Sequence, residues 1–102
     1  MTRNDPQTSV DAWLKALQDA RGIRGRVLAI VALHGPLTLD QLVREYARYR
    51  SLFGWKPASE QGIRSRCAEL AHAKPALVEA VPDELGVSRF GNSAQLWRAA
   101  RV

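Results

Sequence analysis

Cysteine, lysine and histidine are all scarce in this 102-residue chain: Cys67 is the only cysteine, and lysine occurs only as Lys15, Lys56 and Lys74. One cysteine excludes an intramolecular disulfide, and its neighbours suggest a buried core thiol rather than a reactive one. The two histidines, His34 and His72, are isolated, and with one cysteine they offer no zinc-ligand spacing. A Gly-rich phosphate loop, a G-x-S-x-G elbow and an H-E-x-x-H helix are all missing. The expectation is therefore no enzyme, no cofactor and no metal. Long apolar runs are lacking too. The longest, Val27 to Leu33, falls far short of the roughly 20 residues a bilayer-spanning helix needs. The opening MTRNDPQTSV has no apolar stretch of signal-peptide type. The chain is expected to be soluble and cytoplasmic, with no membrane partner.

What is present is ordinary in bulk and biased in detail. An apolar fraction of 46% and a charged fraction of 25% suit one globular domain with a modest core. The formal net charge is +5, which favours a polyanionic partner. Arginine supplies twelve of the fifteen basic residues. Its guanidinium binds phosphate and guanine edges bidentately. A GC-rich coding sequence would produce the same bias, and the alanine content agrees with that, so both explanations stand.

Hydrophobic periodicity and helix stop signals organise the chain as mainly α with a small C-terminal β-hairpin. Residues 1–8 read as a polar tail, and 9–102 as one domain. Ser9 can cap an extra first helix over 9–21, with Trp13, Leu14 and Leu17 on one face. That face could dock on its own domain or form a homodimer interface. A second helix, 23–34, is apolar nearly all round through VLAIVAL and belongs at the centre of the core. His34-Gly35-Pro36 stops it, and Leu37 is extended. Thr38 and Gln41 form a capping box opening a third helix, 38–50, whose apolar face is Leu39, Leu42, Val43 and Tyr46. The segment Ser51 to Ala58 is a long turn, pinned to the core by Phe53 or Trp55. Ser59 caps a fourth helix, 59–73. Over 76–100, Leu77–Val81 and Gln95–Ala99 suit strands, with Phe90-Gly91-Asn92-Ser93 as a turn. Val87 to Phe90 can pair across that turn, so a two-stranded ribbon and a small three-stranded sheet both remain open.

The fourth helix carries the chemistry. Ile63, Cys67 and Leu70 fall on one side, Gln61, Ser65 and His72 face away from them, and Arg64 and Arg66 flank. A short helix with a polar, arginine-flanked outer face suits insertion into a DNA groove. Arginine can take guanine O6 and N7 or clamp phosphates, and Gln61 can address adenine. Ser59 opens a helix whose first amides can meet a phosphate, and Lys56 stands just ahead of it. The competing explanation is a solvated helix face with structural ion pairs, such as Arg66 with Glu69. Arg21, Arg24 and Arg26 could touch flanking phosphates or could complement a helix C-terminus.

Three segments, LHGPLTLDQL (Leu33 to Leu42), IRSRCAEL (Ile63 to Leu70) and a closing hairpin ending in Leu96-Trp97, resemble small winged-helix, helix-turn-helix DNA-binding proteins of bacteria and their phages. The resemblance covers roughly residues 23 to 100. It implies a helix-turn-helix with a terminal wing and an extra N-terminal helix. Gln61, Arg64 and Ser65 would then lie at the major groove, and Arg89 to Asn92 would form the wing tip. With Lys56, Ser59 and Arg66, the expected DNA-binding set is Lys56, Ser59, Gln61, Arg64, Ser65, Arg66, Arg89 and Asn92. The implied function is sequence-reading double-stranded DNA binding, as a transcriptional regulator or a phage-type accessory factor. The alternative is a protein–protein interaction module on the same frame, with Tyr49, Phe53 and Trp55 as exposed anchors.

Overall fold

Helix α2, Ile23–His34, runs through the middle of the molecule and touches most other elements. Its Val27 and Ile30 are fully buried and Ala29 and Val31 nearly so, as an apolar run without a polar stripe requires. The computed structural model describes residues 6–100. Around α2 stand α1 (Pro6–Asp19), α3 (Leu39–Phe53) and α4 (Glu60–His72), followed by strands β1 (Val78–Val87) and β2 (Ser93–Ala99). The described residues thus form four helices followed by a two-stranded antiparallel hairpin and are mainly helical, as the sequence pattern implies.

Helix α1 begins at Pro6, earlier than the pattern suggests, so Ser9 lies inside the helix and is not its cap. Proline suits a first helical turn because its missing N–H has no partner there anyway. Residues 6–8 of the anticipated tail are therefore helical, and residues 1–5 lie outside the described residues. Of the two uses open for the face of Trp13, Leu14 and Leu17, docking on its own domain is the one seen. Leu17 is wholly buried in the chain's own core and Trp13 packs against that core, leaving only Leu14 of the three 40% exposed.

Gly35 ends α2 by donating its N–H to the Val31 carbonyl at 2.8 Å. A Cβ there would stand 2.5 Å from the Val31 oxygen and 3.1 Å from that of Trp97, so only glycine lets β2 approach this closely. Leu37 then exchanges both backbone hydrogen bonds with Trp97, at 3.0 and 2.8 Å. This isolated bridge ties the segment between α2 and α3 to β2. Thr38 caps α3 through the capping box with Gln41 and is 1% exposed.

Helix α3 runs three residues beyond the expected Arg50. Gly54, in the left-handed region at φ 70°, closes it by donating to the Arg50 carbonyl. The long turn thereby shortens to Gly54–Ser59. Trp55 is the pin: it is 7% exposed and sits 5.1 Å from the Tyr46 ring. Tyr49 is equally buried, so neither it nor Trp55 is an exposed interface anchor. Arg26 lies over the Trp55 ring and donates to the Ala20 carbonyl just past α1, which complements that helix end and separates Arg26 from the solvent-exposed Arg21 and Arg24.

The hairpin pairs Val78 with Ala99 at one end and Val87 with Ser93 at the other, with an irregularity between Ala80 and Leu85. Of the two arrangements the pattern leaves open, the two-stranded ribbon is the one seen, with Val87 at the end of the long β1 and Phe90 in the turn. Val78, Val81 and Leu96 are buried, Val78 within the core formed by the helices. Glu79 and Arg98, directly opposite each other, form a cross-strand ion pair at 2.6 Å.

Candidate functional site

Helix α4 starts where Ser59, in extended conformation, accepts a hydrogen bond from the Gly62 N–H at 3.0 Å. Its inward stripe is anchored firmly, with Ile63, Cys67 and Leu70 at most 2% exposed. Burial pushes the Cys67 thiol up to about 11, the value of an inert core group. Gln61, Ser65, Glu69 and His72 lie on the other side, Ser65 half-buried and the rest exposed, and Arg64 and Arg66 are half-buried on the flanks. Gln61 donates from Nε2 to the Ser65 hydroxyl at 3.3 Å, one helical turn on.

The arginines of this region are not free. Arg64 donates from Nη2 to Asp40 Oδ1 at 2.7 Å, joining α4 to the first turn of α3. The other Asp40 oxygen accepts the backbone N–H of Arg89, on the hairpin turn, at 2.9 Å. Arg89 sends Nη1 and Nη2 to the two Glu60 oxygens at 2.8 and 3.3 Å. Glu60 also lies 3.9 Å from Arg64. Two carboxylates and two guanidiniums thus close a ring that ties the hairpin tip to the beginnings of α3 and α4.

The hydrogen bond from the Arg89 backbone, followed by that from Arg64, holds the Asp40 carboxyl below its usual range. The Arg89 fork does the same to Glu60, and Glu60 in turn raises Arg89. These directions follow from hydrogen bonds and opposite charges favouring the ionised forms.

Of the expected set, the structure brings Arg64 and Arg89 into one cluster. Ser59, Gln61 and Ser65 form the neighbouring capped surface. Arg66 turns to Glu69 at 2.6 Å, the ion pair the sequence spacing allows. Asn92 is exposed on the hairpin turn, where its N–H meets the Ser88 hydroxyl at 3.2 Å and its carbonyl accepts the Ser88 N–H at 2.7 Å. Lys56 is exposed ahead of α4, and among the described residues it has no ion pair. The arginines that flank α4 are therefore not a free cationic surface. Arg64, Arg66 and Arg89 are each matched by carboxylates, leaving the outer side of α4 polar but close to electroneutral.

Asp40 and Ser88 are the residues that sequence reasoning missed. An aspartate in a first helical turn reads as a local complement to the helix dipole. Nothing local connects it with Arg89, 49 positions away. The hairpin also exposes Leu85, Val87 and Phe90, at 61, 66 and 75%. A shallow cleft of about 330 Å³ lies beside the cluster, lined by Thr38, Asp40, Arg64, Phe90, Gln95 and Trp97 among others.

Among the described residues no group of histidine, cysteine, aspartate and glutamate side chains could hold a metal ion. No described helix is long and apolar enough to cross a membrane. The chain matches no family model, no curated protein and no solved structure.

Proposed function

We propose that the chain is a winged-helix protein that binds double-stranded DNA and reads sequence with α4, as a transcriptional regulator or a phage-type accessory factor. One observation carries the reading. Helix α4 keeps an N-capped end and a polar outer face open to solvent, while its apolar stripe is locked into the core beside a hairpin. That is the arrangement in which a helix can enter a major groove with its first turns leading.

The roles follow from the donors left over. Gln61 and Ser65 present an amide and a hydroxyl one helical turn apart, a pair able to meet a base edge. Arg64 commits one nitrogen to Asp40 and retains others for guanine or phosphate. Lys56 and the first amides of α4 anchor the backbone.

The test is a titration of the protein with random-sequence duplex at low and moderate salt. Each phosphate contact steepens the log–log salt dependence by roughly 0.9. On a duplex selected from a random library, Arg64→Ala is expected to cost roughly 1–3 kcal/mol. Failure to bind any duplex even at low salt would reject the reading.

A second reading, a protein-interaction module on the same frame, is favoured by the charge-matched outer side of α4 and by the exposed Leu85, Val87 and Phe90. A stoichiometric protein complex recovered by a chain that ignores duplex DNA would select it.

A further inference from the structure

Taking the DNA-binding reading as given, we infer that Asp40 is a specificity-determining positioning residue: it holds Arg64 and the hairpin tip in one register for base reading, and its charge lowers affinity for DNA in general. Asp40 is the hub of the four-group ring. Its side chain is only 13% exposed, whereas those of Glu60 and Arg89 are 44 and 47% exposed. One oxygen fixes the Arg64 guanidinium at 2.7 Å and the other fixes the Arg89 backbone at 2.9 Å. The first restraint removes rotamer freedom from a long side chain before any ligand arrives, so less order is lost when its remaining nitrogens meet a base. The second restraint sets where the hairpin tip stands relative to α4.

Glu60 acts differently. It occupies both terminal nitrogens of Arg89, an exposed fork, and reaches Arg64 only at 3.9 Å. Both acids place a negative charge where a phosphate backbone would approach, so removing either should raise sequence-independent affinity. Only Asp40 donates geometry to Arg64.

The experiment compares Asp40→Asn and Glu60→Gln with the wild type. The probes are the best duplex recovered by the wild type from a random library and a scrambled duplex of the same composition. Circular dichroism checks the fold of each protein. Asp40→Asn is expected to bind the scrambled duplex more tightly and to lower the selected-to-scrambled ratio roughly tenfold, the scale of one lost base contact. Glu60→Gln is expected to raise affinity for both duplexes and keep the ratio. Equal ratios in Asp40→Asn and the wild type, or an equal fall in both variants, would overturn the positioning role while leaving DNA binding intact. If Asp40→Asn does not fold, Asp40→Glu takes its place: it keeps the charge but displaces the guanidinium by one methylene. It should lose the ratio without gaining scrambled-duplex affinity, and an unchanged ratio overturns the inference. A wild type that binds neither duplex sinks the DNA reading itself, and the inference with it.

Discussion

Arg89 on the hairpin turn and Glu60 at the start of α4 stand 29 positions apart in the chain and form a two-pronged ion pair at 2.8 and 3.3 Å. The contact makes the hairpin and the helix one surface. Without it, the turn would still be tied to α3 through Asp40, by the hydrogen bond from the Arg89 backbone and by the Arg89 Nε 4.0 Å from its carboxylate.

Arg89→Ala should therefore loosen the turn without unfolding the protein. Both partners are nearly half exposed, and exposed pairs contribute little to global stability. Backbone NMR relaxation is expected to report greater fast motion over residues 88–92, with an unchanged melting temperature. A variant turn as rigid as the wild type would show that the Ser88 contacts and the backbone bond to Asp40 suffice to organise it.

Acid should weaken the fold through the same ring. Asp40 and Glu60 have folded values below their ordinary 3.8 and 4.5. A depressed carboxyl contributes its full stability above its unfolded value and loses it as pH falls through its folded value. Urea midpoints should stay level with respect to these two groups above that range and decline below it. Asp40→Asn should decline less steeply over the same window, and parallel curves for the two proteins would contradict the assignment.

Leu17→Ala is expected to destabilise the domain by about 2–5 kcal/mol, the cost of emptying a fully buried leucine site. Leu14→Ala, at a position 40% exposed on the same helix, should change stability by only about 0.5 kcal/mol. Equilibrium urea melts distinguish them. Similar small effects at both positions would mean that α1 is not part of the cooperative core.

Cys67 should resist thiol reagents in the native protein near neutral pH and react only after denaturation. Reaction proceeds through the thiolate, and burial raises this thiol from 9.0 to about 11. Because the folded state keeps its proton longer than the unfolded state, this group also withdraws stability as pH climbs past 9.0. Rapid native labelling would place Cys67 outside the core.

Much of the architecture is legible in local pattern. The apolar VLAIVAL run forms the central helix, and Thr38 and Gln41 form their reciprocal cap, with hydrogen bonds of 2.8 and 3.2 Å. The Ile63, Cys67 and Leu70 stripe faces inward. Each signal acts over one or two helical turns, where side-chain periodicity and orphan backbone donors dictate the outcome. Boundaries were harder to read. Arg50 is followed by Ser51-Leu52-Phe53, which continue α3 because Gly54 is the first residue suited to the left-handed cap. Likewise, Pro6 starts α1 where a polar tail was the simpler expectation.

By itself, the chain's order of residues determined which segments are helical and which side of each is apolar, since those outcomes depend on neighbours a few positions away. Tertiary structure alone decided what the charges do. Asp40 meets Arg64 across 24 positions and the Arg89 backbone across 49, and the arginine-flanked face becomes internally matched. Ionic and hydrogen-bond partners are chosen by distance in space, which no periodicity along the chain encodes.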